Sequence, residues 1–204
     1  MKYISTRGEA PVLGFEDALL AGLASDGGLY VPESWPRLSE AMIAGFADKP
    51  FSEIAVSVLH PFMGDDVARD RLAEMVEEAY AGFEADEVTP LTDLGDGQYF
   101  LELYHGPTLA FKDVAMQLLA RLMDDALIRR GARATIIGAT SGDTGGAAIE
   151  AFRSREAVDV FILFPDGRVS DVQRKQMTTP NDANVHTLSV DGTFDDCQAL
   201  VKGM

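Results

Sequence analysis

A single cysteine, Cys197, is present, so no internal disulfide can form and no Cys-x-x-Cys pair can bind zinc or cycle between thiol and disulfide. A buried, small side chain is the role expected of it. The three histidines, His60, His105 and His186, fall at spacings that suit no metal site. Cationic residues are scarce: 17 Lys and Arg stand against 33 Asp and Glu, a formal net charge of −16, with a sequence pI near 4.4. Nucleic acid and anionic membrane surfaces would be repelled, although a local basic pocket can still hold a small phosphate. Long hydrophobic runs are missing as well. The densest, Val160–Phe164, is far too short to span a bilayer, and the opening residues lack the apolar core of a signal peptide. A cytoplasmic location, with no membrane and no nucleic-acid partner, is therefore expected. With 204 residues and 47% hydrophobic content the chain can bury a sizeable core, in one or two domains.

Residues 1–90 read as a mostly helical domain without glycine-rich loops. Phe15, Ala18, Leu19 and Leu23 mark one face of a first helix that Ser25-Asp-Gly-Gly28 ends. Helical stretches follow over Leu38–Ala47, Ser52–Met63 and Asp65–Phe83, with Ser52 as a cap. Residues 91–204 read differently. Leu91–Leu94 and Gln98–Tyr104 flank Gly95-Asp-Gly97 as a hairpin, and a helix follows from Ala110, capped by Thr108 and stopped by Gly131. Strands at Ala134–Ile137, Val158–Phe164 and Val185–Val190 then alternate with helices, which predicts a parallel sheet with right-handed crossovers. Ser170 and Thr193 each open a capping box. The fold class expected is α/β: a helical N-terminal domain followed by an incomplete parallel sheet with flanking helices.

Three stretches of the second domain can carry chemistry. Lys112 sits where the helix after Gly106-Pro107 begins, and counting three, seven and eleven residues onward reaches Ala115, Leu119 and Met123, which puts it on the apolar side. An ammonium there must be paired, snorkelling or chemically used. Gly138-Ala-Thr-Ser-Gly-Asp-Thr-Gly-Gly146 joins a strand to a helix, where free backbone N–H groups and the helix dipole attract an anion. Its spacing is neither that of a dinucleotide fingerprint nor of a P-loop. Thr140, Ser141 and Thr144 add hydroxyl donors around Gly142, whereas Asp143 would repel an anion and needs another task. In the next strand-to-helix turn, Arg168 and Ser170 are further anion contacts, and both turns should lie beyond the carboxyl ends of parallel strands.

Tyr3-Ile-Ser-Thr-Arg-Gly8, Asp26-Gly-Gly-Leu-Tyr-Val-Pro32, His105-Gly-Pro-Thr-Leu-Ala-Phe-Lys-Asp113, Gly138–Gly146, Gly167-Arg-Val-Ser170 and Gly192-Thr-Phe-Asp-Asp-Cys197 together resemble threonine synthase, in the long form with an added helical front domain. The resemblance runs essentially end to end. It implies a fold-type-II enzyme, dependent on pyridoxal 5'-phosphate (PLP), that converts O-phospho-L-homoserine and water into L-threonine and phosphate. It also implies that Lys112 forms the Schiff-base link to PLP and later moves protons, with Phe111 and Asp143 at the cofactor. Thr140, Ser141, Gly142, Thr144, Arg168 and Ser170 would then face the substrate. Members of this form are roughly twice as long, and their PLP phosphate cup lies in a part this chain lacks. The resemblance thus implies an N-terminal portion that binds PLP weakly and is inactive alone. Other readings are a PLP-dependent dehydratase, a non-catalytic threonine-synthase-like protein that binds phosphate or PLP, and a nucleotide-binding module in which Lys112 merely snorkels.

Overall fold

A computed structural model describes all residues, 1–204. The chain packs as two compact units, Met1–Glu78 and Ala79–Met204.

The first unit holds β1 (Tyr3–Ser5), α1 (Phe15–Ala21), β2 (Tyr30–Pro32), α2 (Glu40–Ala44), α3 (Phe51–Met63) and most of α4 (Arg69–Tyr80). Strand β1 pairs antiparallel with β2, Ile4 opposite Val31. Asp26 explains why the two N-terminal motifs meet. Its carboxylate accepts from the Ser5 hydroxyl at 2.7 Å and from the backbone N–H groups of Glu9, Ala10 and Gly28 at 2.9–3.0 Å, while the Arg7 guanidinium donates to its carbonyl. The Ser5 hydroxyl leads the effects that lower its pKa, to about 2. Leu72, Met75 and Val76 of α4 and Ala55, Val56 and Met63 of α3 form the core. Helix α3 begins at Phe51 with Pro50 in the N-cap position, not at a cap made by Ser52. Proline is pre-set for a helix start and lacks an N–H to satisfy there, so the helix begins two residues further back than a cap at Ser52 would place it.

The second unit opens with the expected hairpin, β3 (Leu91–Gly95) paired antiparallel with β4 (Gln98–Leu101). Asp96 and Gly97 both take positive φ, as a tight two-residue connection requires. Then come α5 (Asp113–Arg130), β5 (Ala134–Ala139), α6 (Asp143–Phe152), β6 (Val158–Pro165), α7 (Asp171–Thr178), β7 (Val185–Val190) and α8 (Phe194–Lys202). The sheet is parallel, in the order β5-β6-β7, with Ile137 beside Phe161 and Phe161 beside His186. Val158, Val160, Ile162 and Phe164 of the central strand are buried. Gly131 ends α5 in the left-handed conformation, and both capping boxes form, Ser170 with Gln173 and Thr193 with Asp196. Cys197 is fully buried. No helix is long and apolar enough to cross a membrane.

Candidate active site

The approach to Lys112 starts at the end of the hairpin. The Thr92 hydroxyl donates to one Glu102 oxygen at 2.5 Å, and the other oxygen lies 2.6 Å from His105 Nε2. The Thr92 hydroxyl foremost, then His105, holds the Glu102 carboxyl below its ordinary range. The Tyr104 ring lies 4.7 Å from the His105 ring, centroid to centroid, and the His105 carbonyl accepts from the Glu84 N–H. His105 is thus fastened just before the turn.

Residues 106–112 form that turn, and its organiser is Asp113. This carboxylate has no exposed surface, and it accepts from the Thr108 N–H at 2.8 Å and the Thr108 hydroxyl at 2.7 Å. Gly106 has to be glycine, because a β-carbon there would lie 2.5 Å from the Asp113 β-carbon. Leu109 is held at φ +61°, an unusual conformation for a γ-branched residue, by the closure of the turn around it. Thr108 does not cap α5 as its position suggested. Lys112 occupies the N-cap position with helical dihedrals, and Thr108 instead donates its hydroxyl to the aspartate that opens the helix.

Lys112 is half-buried, with Nζ 4.2 Å from the centroid of the exposed Phe111 ring, a cation–π distance. It makes no ion pair. The apolar face expected beneath it is displaced. Ala115 is exposed and Leu119 and Met123 are half-buried, whereas the buried stripe runs through Asp113, Gln117, Ala120, Asp124 and Leu127. Both buried carboxylates of this stripe have partners: Asp113 in the turn, and Asp124 accepting from the Ala157 N–H at 2.9 Å. The lysine therefore stands at the flank of the buried stripe.

In the glycine loop the hydroxyls divide. Thr140 is buried, and its oxygen accepts from the Gly142 N–H at 3.0 Å and the Gly145 N–H at 2.8 Å, so it shapes the loop. Ser141 and Thr144 are exposed at the start of α6, where the helix N-terminus favours an anion. Gly142 takes φ +146°, and the Gln173 side-chain amide lies where its β-carbon would be. Asp143 Oδ1 accepts from Gln173 Nε2 at 2.7 Å. In the following turn, Ser170 is engaged by Gln173: its hydroxyl donates to Gln173 Oε1 at 2.9 Å and accepts from the Gln173 N–H. Arg168 is exposed and close enough to Asp196 to help keep that carboxyl low, after the Thr193 backbone N–H, which has the larger effect. A third contact joins the lysine turn to these loops, since Gln176 Nε2 donates to the Thr108 carbonyl at 3.1 Å. Asp113, Gln173 and Gln176 were not singled out by sequence reasoning. The one signal available was the capping box, which used Gln173 for its acceptor end alone.

An open α/β protein with strand-to-helix turns at the carboxyl ends of parallel strands, joined through one helix to a turn that presents an unpaired lysine, is the class that these features define. Comparison with known proteins narrows it. Residues 2–80 match the family described as "Threonine synthase N terminus". Threonine synthase of Pseudomonas aeruginosa is 54% identical over 202 residues, 99% of this chain and 43% of that protein. The crystal structure of PLP-bound threonine synthase from Brucella melitensis superposes with TM-score 0.96 at 61% identity, over 100% of this chain and 44% of that one. The yeast threonine synthase structure gives 0.93 at 42% identity, covering 98% and 42%. The chain is thus similar to threonine synthases along its whole length, with the family's N-terminal domain over residues 2–80, and it spans less than half the length of these relatives.

Proposed function

We propose that this chain carries the lysine half of a threonine synthase site, serving the PLP-dependent conversion of O-phospho-L-homoserine and water into L-threonine and phosphate. One observation carries the reading: Lys112 is an amine without a carboxylate partner, at the end of a turn that Asp113 fixes, resting on Phe111. A half-buried lysine with no carboxylate on its nitrogen, fixed at the end of a tied-down turn, leaves that nitrogen open, as holding an aldehyde cofactor requires. The residues present therefore fit PLP. PLP, when bound, supplies the electron sink for cleavage at the substrate's α-carbon. Lys112 would hold it covalently and, when freed, take and return protons at the substrate's Cα and Cβ. Phe111 would pack beside the lysine stem, and Asp143 would face the cofactor ring. The Ser141 and Thr144 hydroxyls would orient the substrate carboxylate, with Arg168 at the adjoining turn. A cytoplasmic setting accords with a lone thiol kept buried.

The glycine loop has few donors to offer a phosphate, since the Gly142 and Gly145 N–H groups go to Thr140 and the Gly146 N–H goes to the Gly142 carbonyl. The 204-residue chain should accordingly bind PLP more weakly than micromolar. The reading is tested by incubating the chain with excess PLP, reducing with borohydride and mapping the modified peptide. Modification concentrated at Lys112 is the expected result, and labelling spread over surface lysines would overturn it. Phosphate release from O-phosphohomoserine by the protein at the relatives' length then separates threonine synthase from a dehydratase or a non-catalytic binder.

A further inference from the structure

We propose that α7 is the common mount of the site loops, with Gln173 the positioning residue for Asp143 and Gln176 the positioning residue for the lysine turn. The sheet alone cannot do this. Strand pairing between β5 and β6 sets the glycine loop and the 165–170 turn relative to each other, but the lysine turn belongs to no strand of that sheet. Beyond the packing of α5 on α6, its tie is the Gln176 side chain, which donates to the Thr108 carbonyl at 3.1 Å and has Gly146 against its stem. One helical turn earlier, Gln173 joins the other two loops with the two ends of one amide: Nε2 to Asp143, Oε1 to Ser170. Met177 locks the helix in place, fully buried, with its sulfur where a β-carbon on Gly145 would lie.

The identity of residue 173 is informative. A capping box needs an acceptor at this position, and glutamate supplies one as well as glutamine does. Only the amide also offers a donor, and that donor is aimed at a carboxylate. A glutamate would cap Ser170 equally well and would set a second negative charge against Asp143, 2.7 Å from its Oδ1. Gln173 thus holds one oxygen of Asp143 and leaves Oδ2 without a hydrogen-bond partner. What the ligand is rests on the PLP reading above, but the mounting itself does not.

Gln173→Glu keeps the acceptor and removes the donor, and Gln176→Leu removes the tie to Thr108. In the 204-residue chain without ligand, amide hydrogen exchange at Gly142, Gly145 and Gly146 should quicken about tenfold in Gln173→Glu, with the α7 amides unchanged. Exchange at Thr108 and Leu109 should quicken similarly in Gln176→Leu. Combining Gln173→Glu with Asp143→Asn reverses donor and acceptor and should restore slow exchange in the glycine loop. Wild-type exchange in both single variants, or no restoration in the pair, overturns the proposal. A second measurement follows borohydride trapping of PLP at Lys112 as a function of pH. Both single variants should trap at least threefold more slowly, and Gln173→Glu should also shift the pH midpoint. The reversed pair should recover slow exchange but not the wild-type pH profile, which a purely structural glutamine would leave intact. If wild type traps PLP at Lys112 and the single variants match it at every pH, the positioning role is wrong and the PLP reading stands. If wild type traps none, the PLP reading fails and hydrogen exchange alone decides the mounting.

Discussion

Asp113 and Lys112 are adjacent, yet removal of each has a different consequence. Both oxygens of the buried Asp113 are bonded to Thr108, so Asp113→Asn replaces one acceptor with an NH2 facing a donor. Urea unfolding should show a loss of about 1–3 kcal/mol. Lys112 has only Phe111 as a partner, so Lys112→Ala should leave stability within about 0.5 kcal/mol while abolishing PLP trapping at that peptide. Asp26 predicts an acid response. Its folded-state pKa, about 2, lies below its ordinary value of 3.8, so its contribution is present above the ordinary value and is lost as pH falls towards 2. Thermal unfolding of wild type and Asp26→Asn should differ at pH 6 and converge near pH 2. Curves that stay parallel would refute this assignment.

Among the elements, the helix starts give the clearest test. Ser170→Ala and Thr193→Ala should each cost about 1 kcal/mol in urea unfolding, because each hydroxyl accepts from a first-turn N–H. Ser52→Ala should cost no more than a surface substitution, since Pro50 holds the cap position of α3. The same contrast explains what the sequence made legible. The hairpin, the Gly131 stop, the β/α alternation and both capping boxes depend on residues within a few positions of one another, so spacing revealed them. The two strand-to-helix turns that precede α6 and α7 were legible for that reason as well. Asp113, Asp124 and Gln176 were not. They are polar residues whose partners are a turn closed on itself, the N–H of Ala157 or the carbonyl of Thr108, and hydrophobic periodicity assigns such residues to the surface. Thr140 has a role that spacing did not show: its oxygen is close enough to the Gly142 and Gly145 N–H groups to close the loop. For the helix α5, counting apolar residues alone put the covered face about one position away from where the buried carboxylates draw it.

At the scale of the whole molecule, much apolar surface of the second unit is uncovered. Leu91, Leu94, Tyr99, Phe100 and Leu101 are exposed on the hairpin, as are Ile137 on β5 and Leu188 on β7, strands that each keep one edge unpaired. Such surfaces promote association. Sedimentation equilibrium should show concentration-dependent self-association of the 204-residue chain, weakened about tenfold or more by Leu91→Lys with Tyr99→Lys. An entirely monomeric wild type at high concentration would contradict this. The Thr140 hydroxyl has a further consequence. Its bonds to Gly142 and Gly145 close the loop through contacts only a few residues apart, so the loop can take its shape as soon as β5 and α6 exist, whether or not anything is bound. The entropic cost of ordering this loop then falls on folding and not on association, so any ligand that docks against it would meet a surface already set, with its rate of capture governed by encounter and charge.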